Sequence, residues 1–307
     1  MKSSNEKRLP QAGGLVQNDF CVAYDTAVSS LRCIPALRHV SREKLCEAAL
    51  DITIVAFGIR TGYLFDAFAM RDRRVSLKDV LVEYLTGLRE VNQHFRDVVI
   101  AYEMHAEQLF FVNVQKLGNH VSTDERPLST TGTDAQRRTS VTYILLRGSR
   151  AQITEAPPGV QSLIHKAVSD FNNGRASPVI NLAAEEPAQD IGTLVAFAAS
   201  ILDFPVAYVP ACCGDTAYLA GVPLDVYECV LVIDDDADAM RSYGLPRQHT
   251  VIKFSCPQHI ARTITGLFPE TLVHDLRIRL RDRLHTASVP GKVVVKHSME
   301  ILDRVAL

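Results

Sequence analysis

The chain has 307 residues, 47% hydrophobic and 22% charged, the balance of an ordinary globular fold long enough to bury a large core without staples. A formal net charge of −2 excludes the basic excess of a duplex nucleic-acid binder, so no nucleic-acid partner is expected. No run approaches the roughly 18 apolar residues of a membrane span, so no membrane partner is expected either.

The elements follow from the chain order. Residues 1–14 are polar, end in Gly13-Gly14, and read as a mobile tail rather than a signal peptide. Ser41 is a plausible N-cap, and Leu45, Ala48, Ala49, Ile52, Val55 and Ile59 then keep helical spacing, with Gly58 and Gly62 bracketing the stop. Tyr63-Leu64-Phe65 reads as a short buried strand ended by Asp66. Ser76 with Asp79 resembles a capping box, and Leu77, Val80, Leu81, Tyr84, Leu85 and Leu88 form one helix face behind it. Val98–Tyr102 and Leu109–Val114 read as a hairpin. Residues 118–140 are rich in Ser, Thr and charge and read as a disordered insertion.

The second half alternates. Strands are expected at Val141–Leu146, Pro178–Leu182, Pro205–Val209, Val226–Ile233, Thr250–Phe254 and Lys292–Val295. Helices are expected at Val160–Phe171, Ala188–Leu202 and residues 269–285. That order predicts a three-layer α/β fold: a mixed but partly parallel sheet with helices on both faces, in a single domain over residues 15–307.

Several stretches carry a resemblance. LDFPVAYVP at 202–210, VPLDVYECVLV at 222–232, KFSCP at 253–257, the helix with LRIRLRDRL and the terminal VAL resemble the uncharacterised eukaryotic family of the human chromosome 1 open-reading-frame seventy-four protein, a domain of unknown function. GYLFDAFA at 62–69 sits where that family has an apolar strand ending in Asp. The resemblance covers roughly 40–307; the longer N-terminus and the 118–140 insertion depart from it. It implies the fold and supplies neither an activity nor a catalytic residue.

The seven cysteines are irregularly spaced, no CxxC pair occurs, and no Asn-x-Ser/Thr site is present, which fits a reducing intracellular compartment, cytoplasmic or nuclear. Lys2 excludes N-myristoylation and the C-terminus has no prenylation Cys. There is no GxGxxG, P-loop, GxSxG or HExxH, which lowers the odds of common dinucleotide, nucleotide and serine-hydrolase chemistry. Asp234, Asp236 and Asp238 open like a calcium loop, but Ala239 and Leu245 stand where Gly and Glu are needed, so a solvated acidic loop is the better reading and no metal site is assigned. Cys212-Cys213 has no His nearby in sequence; His165 or His259 could activate a thiol only through the fold. The ten histidines show no chelating spacing, and surface or capping roles are expected for them. Arg277, Arg279, Arg281 and Arg283 spread around a helix whose buried face is Leu272, Leu276, Leu280 and Leu284, so they read as solvated charge. Arg137-Arg138-Thr139-Ser140 fits a basophilic kinase preference.

Topology offers the one candidate site. Ligands of open α/β sheets bind beyond the carboxyl ends of strands. Those ends carry Asp66, then Arg147 with Arg150, then Glu185 and Glu186. If the strands are parallel neighbours, this rim could bind Mg²⁺ with a phosphorylated ligand or act as a general acid–base pair; ordinary helix capping and loop charge is the plainer alternative. The leading expectation is a binding or interaction module with a small-molecule or protein partner; the alternative is a hydrolase or transferase acting on a small anionic ligand at that rim. No cofactor is assigned.

Overall fold

The computed structural model describes residues 18–104, 107–124, 141–174, 177–182, 191–211, 218–233, 243–289 and 291–303. Outside them lie the 1–14 tail, residues 125–140, Glu185, Glu186, the Cys212-Cys213 pair, the acidic loop 234–238 and His105.

Three helices open the described chain: α1 (Asp19–Cys33), α2 (Arg42–Ala56) and α3 (Leu77–Val91). Each begins on a side-chain cap that satisfies an otherwise unpaired amide: Asn18 accepts from Phe20, Ser41 from Lys44, and Ser76 from Asp79. Helix α1 is an addition to the expected elements, although its buried Phe20, Tyr24, Ala27, Val28 and Leu31 do keep helical spacing. Helix α2 stops as Gly58 predicts. Gly58 takes φ +65°, its amide donates to Val55 O, and the Ile59 amide donates to Ile54 O, which is a Schellman cap.

The strands form three hydrogen-bonded sheets rather than one. In the first, β1 (Gly62–Leu64), β3 (Gln108–Asn113), β2 (Val98–Glu103) and β6 (Val179–Asn181) lie in that order. Strand β3 is antiparallel to β1 and β2, and β6 is parallel to β2, so β1, β2 and β6 point the same way. In the second, β4 (Thr142–Arg147) lies parallel to β7 (Val206–Pro210) and antiparallel to β5 (Arg150–Thr154). The third is an antiparallel ladder of β10 (Lys292–Ile301), β8 (Pro223–Val232) and β9 (Gln248–Pro257).

Alternation along the strands shows how the layers stack. Val98, Ile100, Leu109 and Phe111 enter one apolar cluster, while Val99, Ala101, Phe110 and Val112 enter a second. In the second sheet Ile144, Leu146 and Val206 join the first cluster, and Leu145, Ala207 and Val209 the second. Both sheets therefore separate the same two cores, and their inner strands, buried on both faces, read as nearly continuous apolar runs, whereas the edge strand β5 is largely exposed. One core is closed by α4 (Val114–Asp124), α5 (Pro158–Asn173) and α6 (Ile191–Ile201). The other is closed by α1, α2, α3 and the third sheet, which carries the one-turn α7 (Gln258–Ala261) and the long α8 (Pro269–Thr286). The expected α/β architecture, with mixed sheets and helices on both faces, is what the chain adopts.

Two expectations need correction. Helix α4 runs through Asp124, so the stretch expected to be disordered over 118–140 is helical at its start; residues 125–140 lie outside the described part. Arg147 to Arg150 is a hairpin turn and not an open strand end. Gly148 at φ +56° supplies the first central position of a two-residue turn, and Arg147 pairs with Arg150 across it. Among the described residues no helix is long and apolar enough to cross a membrane.

Candidate functional site

Two helix caps meet beside β1 and enclose a cluster of buried charge. Helix α6 also ends in a Schellman arrangement: Asp203 donates to Ser200 O, and Phe204 to Ala199 O. Asp203 occupies the position usually given to glycine, at φ +61°, a conformation that Asp tolerates better than most residues. Its side chain, 0% exposed, turns to the end of α2. There Asp203 Oδ2 accepts from the Thr61 amide at 2.6 Å. Arg283 of α8 completes the contact with Nη1 on Oδ2 at 2.8 Å and Nη2 on Oδ1 at 3.3 Å, and the same Nη1 donates to Ile59 O. Arg279, one turn earlier, donates to the Asp203 carbonyl at 3.1 Å. The Arg283 pKa is raised, because pairing with Asp203 outweighs the burial that opposes its charge. Lys116 of α4 lies close by; burial, then the Arg283 charge, push its pKa down.

Arg277 and Arg281 are exposed, as read from sequence, but Arg279 and Arg283 are not simple solvated charge. They sit four residues apart on the inward side of α8 and anchor it to the α2–β1 and α6–β7 junctions.

Arg60 lies between the α2 cap and β1, and it is 9% exposed. Its Nε is buried with no acceptor, and among the described residues no carboxylate closes an ion pair with it. Burial pushes its pKa down, against the fields of Asp51, Asp203, Tyr63 and Asp66. Those acids are engaged or distant. Asp51 Oδ1 is 3.0 Å from His249 Nε2, and Asp203 is taken by Arg283 and Thr61. Burial, then the charges of Asp51 and Asp66, raise the pKa of the Tyr63 phenol, so it keeps its proton. Arg60 is thus a buried fork of donors held among carboxylates yet paired with none of them, with the Nη atoms as its polar contact with the surface.

The sequence-derived rim is distributed differently. Asp66 is exposed at the carboxyl end of β1, within the field of Arg60. Arg147 is exposed in the β4–β5 turn and belongs to a different sheet. Glu185 and Glu186 lie outside the described residues. A carboxylate not singled out from sequence, Glu103, is buried at the end of β2 on the same sheet edge as Asp66, with β3 between them. Arg60 precedes its strand, so a search of carboxyl ends alone passes over it. The usable signals were an acid at the end of apolar α6, where the helix dipole disfavours it, and a lone Arg between a helix stop and a buried strand.

A second polar group lies in the third sheet. Asp225 is buried and 2.8 Å from His297 Nε2, and Tyr227 stacks between Phe254 and His297. Cys256 is the cross-strand partner of Asp225. The set has the composition of a Cys–His–Asp triad without its chemistry. Burial, then the Asp225 charge, push the Cys256 thiol up to about 12, and burial does the same for Cys229. Site-resolved alkylation with iodoacetamide at neutral pH will therefore label exposed Cys33 well before Cys229 and Cys256. The linkage sign follows from the raised values. The native state holds these protons longer than the unfolded chain, so their stabilisation is complete below pH 9 and is lost as pH rises towards about 12.

Among the described residues no group of three or more His, Cys, Asp or Glu side chains could hold a metal ion. Met299 and Ile301 are exposed on one face of β10 and Val294 on the other, and exposed Leu302 follows the strand. Compared with known proteins, the chain matches no family model, no curated protein and no solved structure.

Proposed function

We propose that this chain is a binding module for a small anionic ligand, and that the Arg60 guanidinium is its anchor. One observation carries the reading: a nearly buried arginine has donors but no partner among the described residues. Leaving a buried charged group unsatisfied costs more than the roughly 1–3 kcal/mol of a neutral one, so a bound oxyanion recovers substantial free energy. A planar guanidinium favours carboxylate or phosphate oxygens in pairs. The guanidinium is nearly buried, which favours a compact anion or the terminal group of a ligand lying along the surface. Membership in the family that the 202–232 stretches resemble remains part of the proposal, and it brings no competing activity.

Thermal denaturation with inorganic phosphate, pyrophosphate, sulfate and small carboxylates, at constant ionic strength, tests it. At a ligand concentration 100-fold above Kd the wild-type chain should gain about 2.7 kcal/mol. Arg60→Gln should lose that gain while a surface change such as Arg277→Gln keeps it. No shift with any of the anions, or a shift that survives Arg60→Gln, overturns the reading.

The Asp51–His249 pair favours a second reading, a hydrolase or transferase acting on the same anion. The pair shares the field of Arg60, and a carboxylate-oriented imidazole can serve as a general base. Turnover of phosphate esters that vanishes in His249→Gln would establish catalysis beyond binding.

A further inference from the structure

A second polar site is a cavity of about 520 Å³ near the amino end of β2, lined by Thr86, Arg89, Glu90, Arg96, Asp97, Gln115, Phe171 and Asn172. It shares no residue with the Arg60 cluster, and its size is within the range that holds small organic ligands. Three elements converge on it: the last turns of α3 and α5 and the first turn of α4, together with the residues that lead into β2.

Arg89 is the fixed point of this cavity. Its Nε donates to Val98 O at 3.1 Å, which sets the plane of the guanidinium. Nη2 is buried with no acceptor, and among the described residues Arg89 closes no ion pair. Burial pushes its pKa down, while Asp97 supports the charge from beyond contact distance. Nε is held by Val98 and Nη2 is sealed from solvent, so Nη1, neither bonded nor sealed, is the nitrogen that can receive an oxyanion from the cavity.

The rest of the lining narrows the class of ligand. Glu90 and Asp97 balance the charges of Arg89 and Arg96, so a polyanion gains little from the cavity as a whole. The same two carboxylates favour an ammonium group. Gln115, Asn172 and Thr86 can each donate or accept, and Phe171 offers an apolar wall. We propose that this cavity binds a small zwitterion of the α-amino acid class, its carboxylate on Arg89 and its ammonium towards Asp97 and Glu90. The assignment stands independently of the anion reading at Arg60.

Isothermal titration of the full chain with the common L-amino acids tests the class. N-acetyl and amide derivatives of any amino acid that binds then test the two charges separately. Binding of at least one free amino acid is expected, weakened at least tenfold by removing either its ammonium or its carboxylate. Arg89→Gln should weaken binding at least tenfold, while the surface variant Arg277→Gln leaves it unchanged. Because Arg89 also bridges to β2, exposed Arg96→Gln and half-buried Asp97→Asn provide second variants, each expected to weaken binding in a chain whose unfolding temperature is close to wild type. Absence of binding by every amino acid at millimolar concentration overturns the proposal. So does an N-acetyl derivative that binds as well as its parent, or binding indifferent to Arg89, Arg96 and Asp97.

Discussion

Replacing Asp203 with alanine is expected to lower the unfolding free energy by about 3–5 kcal/mol, the cost of breaking a buried charge pair from one side. The carboxylate is fully enclosed and serves two elements that are far apart in sequence, the Thr61 amide that leads into β1 and the Arg283 fork of α8. Its removal leaves the Thr61 amide without that acceptor and Arg283 with only Ile59 O from this contact set. Two controls separate the causes. Asp203→Gly relieves the left-handed backbone at φ +61°, worth about 1–2 kcal/mol, but forfeits the same contacts, so it should still fall below wild type. Asp203→Asn keeps an oxygen for Thr61 but loses the charge and the second acceptor used by Arg283, so it should fall between alanine and wild type. Urea unfolding gives the measurement, with a lowered midpoint and an unchanged slope. A loss below about 1 kcal/mol for the alanine variant would mean that solvent replaces these contacts cheaply. Because Thr61 is the neighbour of Arg60, anion binding at Arg60 should weaken alongside stability.

Phe111→Ala is expected to cost a similar about 3–5 kcal/mol, through a cavity rather than a charge. Phe111 is fully buried on β3, with Tyr63 of β1 opposite on one side and Ile100 of β2 on the other. Its ring tilts against Phe65 at 5.9 Å between centroids. Truncation empties the centre of the first sheet on the face that packs against α2, and close-packed neighbours fill such a void only in part. Phe111→Leu keeps most of the volume and should cost clearly less. A thermal or urea midpoint for the alanine variant within error of the leucine one would show that this face of the sheet collapses freely.

Much of the secondary structure was legible because its causes are local. Ser41 and Ser76 cap the helices they announce, Gly58 ends α2 in the left-handed conformation, and the Leu272–Leu284 stripe is the buried face of α8. The 98–114 hairpin follows from two apolar runs and a short polar link. The division into three sheets was not legible, because an apolar run tells that a strand is buried without telling what it pairs with. Strand β5 was missed for a different reason: Arg150–Thr154 is mostly exposed, and the alternation of Ala151 and Ile153 with polar residues is too short to announce it.

The candidate site divides along the same line. Asp66 was found because it ends a strand, yet the groups that distinguish the site are Arg60, Asp203, Arg279 and Arg283, which read locally as loop and helix charge. Thr61 and Asp203 are 142 residues apart, Asp203 and Arg283 80, and Ile59 and Arg283 224. Composition, apolar periodicity and caps act within a few turns of the chain, so the sequence by itself determined the fold class, most helices and strands, and which faces are buried. Which buried charge finds a partner and which, like Arg60, has none among the described residues depends on how two helix caps and α8 come together in space. Only the tertiary structure decided that, because burial makes the energy of a charge depend on neighbours that sequence order does not place beside it.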